Sequence, residues 1–134
     1  MKIALVLLAL FAGLSLYFRL APSDLARWHV TFAQPQERDT ANSATRVLAQ
    51  QAQMFGQLQE IILASPRTKL LAGGASEGKA TYVTRSLLWG FPDYTTVWTD
   101  GDALILHGRS RFGGGDLGVN RNRLEGWIAA LNAT

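Results

Sequence analysis

Residues 79–112 read KATYVTRSLLWGFPDYTTVWTDGDALILHGRSRF, a segment dominated by Thr, Tyr, Val, Trp and Leu. Side chains of these β-branched and aromatic types favour strands, whereas the Gly-Phe-Pro-Asp and Asp-Gly-Asp runs at 90–93 and 100–102 are typical of turns. A further turn sequence, Gly73-Gly74, precedes this segment. We therefore predict an antiparallel meander of four strands, near residues 68–72, 79–89, 94–99 and 103–112.

The last of these strands has two chemically different sides, because successive side chains of a strand point to opposite faces of the sheet. One side carries Leu104, Leu106, Ser110 and Phe112, and the other carries Ile105, His107, Arg109 and Arg111. His107, Arg109 and Arg111 form a basic row, which Arg85 can join from an earlier strand. The row predicts a binding surface for an anion or an acidic partner. The alternative is a solvated face with ordinary cross-strand ion pairs.

Two segments outside the meander have helical periodicity. In Ser43–Ala64 apolar residues recur at spacings of three and four, and Pro66 predicts the end of this helix. A second helix is predicted from about Leu117 to Leu131, with Asp116 as its N-cap. The predicted inner face of the second helix consists of Leu117, Leu124, Trp127, Ile128 and Leu131.

The order of these elements predicts an α+β fold, in which a small antiparallel sheet of four to five strands carries two helices on one face. The fifth strand is the short apolar island Trp28–Phe32, which lies within a polar segment. This arrangement is similar to a helix-grip fold. We divide the chain into an N-terminal transmembrane helix at 1–21, a linker at 22–40 and the α+β domain at 41–134.

The N-terminal run Ile3–Phe18 is apolar and uncharged. At about 1.5 Å per residue it is roughly 24 Å long, and it approaches the roughly 30 Å hydrocarbon core when counted to Ala21, with Arg19 reaching the interface. A cleaved signal peptide is the alternative, but the run ends in Leu-Tyr-Phe-Arg instead of small residues. We predict an uncleaved signal anchor in the bacterial inner membrane, with the soluble domain on the periplasmic side. Gly13 and Ser15 would permit close helix contact within the bilayer.

Several motifs of the chain resemble a bacterial and plastid family known only as domain-of-unknown-function family fourteen ninety-nine. They are Arg27-Trp28-His29, TYVTRS from Thr81, GFPDY from Gly90 and DLGVNR from Asp116. The resemblance implies structural motif roles for Trp28, His29, Gly90, Phe91, Pro92, Asp93, Asp116, Gly118 and Asn120. It also implies an extracytoplasmic domain, because this family often pairs such an anchor with this domain. A serine commonly precedes the aspartate in the family, and Gly115 departs from that pattern.

Two of these motifs leave alternatives open. Trp28 and His29 are either ligand contacts or the residues that dock the linker on the domain. The glycine-rich loop Gly113–Gly115 is either a structural turn or an anion site, in which backbone N–H groups act with Arg121 or Arg123. It lacks the spacing and the lysine of a P-loop, and the aspartate that follows would repel a phosphate. A structural turn is favoured.

Composition excludes several classes of protein. The 13 Lys and Arg against 10 Asp and Glu give a net charge of +3, too little for a nucleic-acid partner without a clustered basic stripe. The absence of cysteine excludes disulfides, thiolate catalysis and Cys-containing zinc sites. His29 and His107 have no metal-ligand spacing, so no metal and no cofactor is predicted. No catalytic residue is predicted either, although His107 would become a general base if Asp93, Asp116 or Glu77 oriented it.

These features predict a non-catalytic accessory or assembly subunit of a respiratory or photosynthetic inner-membrane complex. Its partners would be the lipid bilayer and other membrane-protein subunits. The alternative is a carrier or sensor of an acidic or lipidic small molecule, and an apolar ligand would lie between sheet and helix. The aromatic residues that suggest such a ligand are Tyr82, Trp89, Phe91, Tyr94 and Trp98. A hydrolase-type enzyme is the third reading.

Overall fold

The computed structural model covers residues 1–134 and contains four α-helices and six β-strands. The helices are α1 (Lys2–Leu20), α2 (Leu25–Trp28), α3 (Phe55–Leu63) and α4 (Val119–Asn132). The strands are β1 (Arg38–Asp39), β2 (Ser43–Leu48), β3 (Thr68–Gly74), β4 (Lys79–Arg85), β5 (Pro92–Asp100) and β6 (Ala103–Ser110). Short 3-10 turns lie at Ala52–Met54 and Ala75–Glu77.

All six strands form one antiparallel sheet, in the order β1-β2-β6-β5-β4-β3. The segment from β3 to β6 is the predicted meander, with neighbouring strands joined by turns. Strand β2, which precedes the meander in sequence, pairs with the last strand β6, so that Ser43 lies opposite Arg109 and Leu48 lies opposite Leu104. The predicted α+β class, with an apolar N-terminal helix and an antiparallel sheet, is confirmed. The sheet has six strands instead of four to five, because β1 and β2 precede α3.

The prediction of a helix over Ser43–Ala64 is wrong in its first half. Ser43–Leu48 is a strand, and the helix begins only at Phe55. The apolar residues of this strand also fit a helical spacing, but its β-branched Thr45 and Val47 favour extended backbone. The edge of β6 offers a ladder of backbone hydrogen bonds to this segment. Long-range pairing therefore decides the conformation of a segment whose own pattern is ambiguous.

As predicted, α3 and α4 cover one face of the sheet, and the main core lies between the helices and the strands. Its largest buried side chains are Phe55, Leu58, Ile62, Tyr82, Val97, Leu104, Leu106, Leu124, Trp127 and Leu131. The prediction that Leu117 belongs to this core is wrong, since its side chain is 99% exposed. The helix begins at Val119 with Gly118 as its N-cap, so the predicted N-cap Asp116 lies in the preceding turn together with Leu117, which has a φ of +53°.

The predicted strand 79–89 ends earlier, at Arg85, and residues 86–91 form a loop. Within this loop the Ser86 hydroxyl accepts a hydrogen bond from the backbone N–H of Phe91 at 2.9 Å. Gly90 adopts a φ of +75°, which a side chain would strain. The GFPDY motif therefore contributes the end of this loop and the first residues of β5.

The strand predicted at Trp28–Phe32 is wrong, because Leu25–Trp28 is a short helix. The Asp24 carboxylate caps this helix by accepting the N–H of Ala26 at 3.0 Å. Residues 22–33, here called the strap, lie across the face of the sheet that is opposite α3 and α4. Trp28 is buried there, against Tyr94 and Val83. This one-turn helix is amphipathic and packs its aromatic residue on the sheet. The segment therefore adds no strand to the sheet edge.

Candidate functional site

The predicted basic row lies on the strap-covered face of the sheet. Side chains of β6 alternate as predicted, with Leu104 and Leu106 in the main core and His107 and Arg109 on the opposite face. The strap contacts this row along its length, through Phe32 at His107, through the carbonyl of Trp28 at Arg109 and through the carbonyl of Pro22 at Arg111. The strap therefore covers much of the row, and Arg109, predicted as part of a binding surface, is buried.

Arg109 is the most buried charge of the chain, and it forms no ion pair. Its guanidinium donates to the carbonyl of Trp28, to Thr96 Oγ1 at 2.8 Å and to the carbonyl of His107 at 3.2 Å. Burial lowers its pKa to about 10, and nearby Tyr94 opposes this shift. Carbonyl and hydroxyl oxygens thus satisfy a buried cation, and Arg109 fastens the strap to the sheet.

His107 is half-buried, and its ring Nδ1 lies 2.8 Å from Thr45 Oγ1. Burial, reinforced by the charge of Arg109, lowers its pKa to about 4, so the ring is neutral at pH 7. Two of the three acids that would have oriented a catalytic base act elsewhere: Asp93 pairs with Arg123 of α4, and the Asp116 carboxylate accepts backbone N–H groups at the start of that helix. The ring borders a groove of about 410 Å³ that is lined by Phe32, Gln34, Gln36, Arg38, Thr40, Ser43, Thr45 and His107.

A chain of hydroxyl groups links the Arg-Trp-His motif to the middle of the sheet. His29 Nδ1 lies 2.8 Å from Thr81 Oγ1, which lies 2.9 Å from Thr96 Oγ1. Thr96 in turn donates to the carbonyl of Trp28 at 3.0 Å. The Trp28 ring stacks on Tyr94, with ring centroids 4.2 Å apart. Of the two alternatives for Trp28 and His29, the structure contains the docking contact between the linker and the domain.

A second polar network joins motifs from three parts of the chain. The Asp116 carboxylate accepts two backbone N–H groups at the start of α4, at 2.8 and 3.1 Å. The fully buried Asn120 amide donates to Asp116 at 2.8 Å and to Ser110 Oγ at 3.0 Å. Arg123 donates to Asn120 Oδ1 and to Asp93, both at 3.2 Å. The DLGVNR motif therefore fixes the start of α4 on the last two strands of the sheet.

Arg121 lies apart from the other predicted site residues. Its exposed side chain lines a groove of about 390 Å³ next to β1, together with Asp39 and Asp116. Asp116 occupies the N–H groups at the helix start, and both carboxylates oppose an anion in this groove. The surroundings of Arg121 therefore favour the structural-turn interpretation of the glycine-rich loop.

Arg85 belongs to a different cluster, which the sequence did not reveal. It lines a cleft of about 230 Å³ with Arg19, Arg67, Lys69 and Val83, here called the basic cleft. Arg19 comes from the last turn of α1, whereas Arg67 and Lys69 stand at the start of β3, beside Arg85. None of the three ion pairs of the chain includes a residue of this cleft. Four cations thus converge without a carboxylate partner.

The C-terminal half of α1 packs on the domain next to this cleft. The Ser15 hydroxyl donates to the carbonyl of Trp89 at 3.2 Å, and Arg85 donates to the carbonyl of Phe18 at 3.0 Å. Around these bonds lie five aromatic rings with neighbouring centroids 4.5 to 6.4 Å apart. This aromatic joint consists of Phe11, Phe18, Trp89, Phe91 and Phe112.

The remainder of α1 projects from the domain as an exposed apolar helix. Lys2–Leu20 is long and apolar enough, by length and composition, to cross a membrane.

The aromatic residues that suggested a single apolar ligand site lie in three different parts of the fold. Tyr82 lies in the main core, Tyr94 and Trp98 lie under the strap, and Trp89 and Phe91 pack on α1.

These features define a small α+β domain with a helix-covered antiparallel sheet, carried behind an apolar helix that packs on its loop 86–91. A family model described as "Protein of unknown function (DUF1499)" matches residues 22–131, and the chain belongs to this family. A comparison with curated proteins found no match. The matched region begins at the strap, so the strap and the sheet that it covers fall within the same family domain.

The basic cleft was missed because its residues come from three distant segments. Arg67 and Lys69 differ by two positions, which places them on one side of a strand, but only the pairing of Lys69 with Val83 brings that side to Arg85. Arg19 was assigned to the membrane interface by its position after the apolar run. Its approach to the sheet depends on the aromatic joint, which no local pattern reveals.

Proposed function

We propose that this protein is a membrane-anchored, non-catalytic accessory or assembly subunit of an inner-membrane complex, with its domain on the periplasmic side. The observation that carries this proposal is the packing of α1 on the domain through Ser15, Arg85 and the aromatic joint. Because α1 is fixed to its domain, the surface of α1 within the membrane and the surface of the domain outside it keep one relative orientation. This arrangement suits a subunit that contacts its partner both within the membrane and outside it.

The free side of α1 offers a surface for a partner helix. Ser15 was predicted to permit such contact, but its hydroxyl is bonded to the domain. Gly13 lies on the opposite side of the helix, where a Cβ would meet no atom within 4 Å. Ala9 precedes Gly13 by four positions, and small residues at this spacing allow close helix packing in bilayers. We therefore assign the partner helix to the side of Ala9 and Gly13.

The internal pairing of the motif residues supports a non-catalytic role. Asp93 accepts a hydrogen bond from Arg123 of α4, and Asn120 donates one to Asp116. His29 bonds to Thr81. Every buried side-chain nitrogen and oxygen has a hydrogen-bond partner within the chain. Hydrogen bonding that is completed within the chain is typical of polar groups that fix a fold.

Native membranes provide the test of the accessory role. After solubilisation in mild detergent, a native gel and mass spectrometry would identify proteins that migrate with this chain. We expect a large band with partners in fixed ratio, which Gly13→Leu converts to monomer, since a bulky side chain would block close packing. The control is Ala12→Leu, an exposed position at the same depth on another side of α1. Wild-type protein that migrates alone would contradict the proposal.

The side of the membrane has its own test, which the absence of cysteine makes simple. A single cysteine at exposed Gln57 reports the position of the domain, and one at Lys2 reports the opposite end of α1. In intact spheroplasts we expect an impermeant maleimide to label the Gln57→Cys variant and not the Lys2→Cys variant. The reverse pattern would place the domain in the cytoplasm.

The basic cleft favours a second candidate function, a carrier or sensor of an acidic or lipidic small molecule. Its four cations have no carboxylate partner, so an anion would complete their charge balance. The native gel separates the two functions. An accessory subunit migrates with protein partners, whereas a carrier or sensor migrates as a monomer that retains a small molecule.

A further inference from the structure

We propose that the basic cleft of Arg19, Arg67, Lys69 and Arg85 binds the phosphate headgroup of an anionic phospholipid at the outer end of α1. This inference rests on the membrane anchorage in the proposed function, and it names the ligand class of the second candidate. It does not depend on protein partners. A lipid site would serve an accessory subunit by fixing the height and rotation of its domain on the bilayer.

The cleft has the charge that a phosphodiester requires. Arg85 is half-buried and Arg19 is exposed beside it, and none of the four cations has an acidic partner. Burial lowers the pKa of Arg85, and the charges of Arg19 and Arg111 add to this effect. The same repulsion would be relieved by a bound anion. Arginine guanidinium groups are well suited to phosphate, because they donate several hydrogen bonds in one plane.

The position of the cleft selects a lipid as the source of the phosphate. Arg19 lies in the last turn of α1, and one turn of apolar helix separates it from Ser15. On a helix that spans a bilayer, this is the level of the headgroups, so the apolar loop 86–91 that packs on Phe11 and Phe18 must enter the bilayer with α1. The cleft therefore opens where lipid phosphates lie. A soluble anion would have to reach the same site between the domain and the membrane surface.

The apolar residues next to the cleft suit the acyl chains of a lipid. Leu87 and Leu88 occupy the loop that packs beside α1, and their side chains are 75% and 64% exposed. Arg19 donates to the carbonyl of Leu87 at 3.4 Å, which ties this loop to the base of the helix. Leu20 is also exposed. An anionic lipid can thus place its phosphate among the cations and its chains along α1 and these leucines.

The test uses the full chain, purified in a neutral detergent and studied by native mass spectrometry. It is titrated separately with phosphatidylglycerol, phosphatidylcholine and glycerol phosphate. The test variant is Arg67→Gln/Lys69→Gln, which removes two exposed cations of the cleft. The matched control is Arg38→Gln/Arg121→Gln, which removes two exposed cations near β1. Circular dichroism checks that both variants fold.

We expect one phosphatidylglycerol per chain, bound about tenfold more weakly by the Arg67→Gln/Lys69→Gln variant and unchanged in the control. Restoring charge with Arg67→Lys/Lys69→Arg should recover most of the affinity. Equal binding of phosphatidylcholine, equal loss in the control variant, or glycerol phosphate binding as tightly as the lipid would each overturn the proposal. Extraction of wild-type membranes with alkaline carbonate tests the anchorage separately, so failure of the lipid site and failure of the anchor are distinguishable.

Discussion

At the scale of single residues, polar side chains of this protein form internal hydrogen bonds that its pattern of charges did not predict. Alternation along β6 correctly placed His107, Arg109 and Arg111 on one face. It could not show that the strap covers that face, because the strap is distant in sequence. Arg109 illustrates the consequence. A residue predicted to bind an external anion instead donates to the carbonyl of Trp28 and is buried.

His107 makes the stability of the domain depend on pH. Its pKa is about 4 in the folded protein and about 6.5 in an unfolded chain. Between these pH values the unfolded chain binds a proton that the folded chain does not, so stability falls as the pH falls. His29, whose pKa is also lowered, chiefly by burial, acts in the same direction.

We expect His107→Gln to flatten this pH dependence by about 1–3 kcal/mol between pH 7 and pH 4, since glutamine does not titrate. Urea unfolding of the detergent-solubilised chain at several pH values measures the effect. His29→Gln serves as the comparison and should change the slope less, because burial lowers the pKa of that ring less than the pKa of His107. Parallel curves for wild type and the His107→Gln variant would contradict the burial of a neutral imidazole.

Asn120 is the residue on which the DLGVNR network depends. It is fully buried and bonds to Asp116, Ser110 and Arg123. Asn120→Ala should lower the free energy of unfolding by about 2–4 kcal/mol, because it opens a cavity at a fully buried position and removes the hydrogen bonds of three partly buried partners.

The control for this prediction is Asn122→Ala, an exposed position on the same helix. We expect it to change stability by less than about 0.5 kcal/mol. Denaturant midpoints by circular dichroism compare the two variants. Equal midpoints would show that the network contributes little to the fold, and the motif would then need a role in binding.

At the scale of elements, the sequence was informative where turn residues bound a strand and ambiguous where they did not. The meander was predictable because Gly90–Asp93 and Asp100–Asp102 interrupt runs of β-branched and aromatic residues. The segment Ser43–Leu48 was misassigned, because six residues are too few to separate a helical from an extended pattern. Trp28–Phe32 was misassigned for the same reason.

The aromatic joint is the element-scale feature that no local pattern predicts, and it has a measurable coupling energy. Phe18 and Phe112 meet edge to face, with ring centroids 4.9 Å apart. In a double-mutant cycle of Phe18→Ala and Phe112→Ala, we expect a coupling of about 0.5–1.5 kcal/mol. Unfolding of the chain in detergent supplies the four free energies.

A cycle in which Leu16→Ala replaces Phe18→Ala provides the control, since Leu16 is exposed and lies on the side of α1 opposite Phe18. That cycle should be additive within about 0.5 kcal/mol. An additive result for Phe18 and Phe112 would mean that α1 and the domain are energetically independent. The orientation argued for the anchored helix would then have no basis.

At the scale of the whole molecule, the strap and α1 both pack on the domain. The strap covers the face opposite α3 and α4, and α1 continues from it onto the loop 86–91. This arrangement leaves two distinctive surfaces, the apolar side of α1 with Gly13 and the basic cleft at its base. Both surfaces lie on or beside the apolar helix, which is why the proposed partners are membrane components.

Photo-crosslinking from α1 in native membranes tests this account most directly, with benzoylphenylalanine at Phe18 in one variant and at Tyr17 in another. We predict that the probe at Phe18 crosslinks within the chain, to the peptides that contain Phe91 or Phe112, because these rings lie 4.6 and 4.9 Å away. The probe at Tyr17 should instead capture another membrane protein. Crosslinks to lipid alone from both positions would contradict the docked helix and the accessory role together.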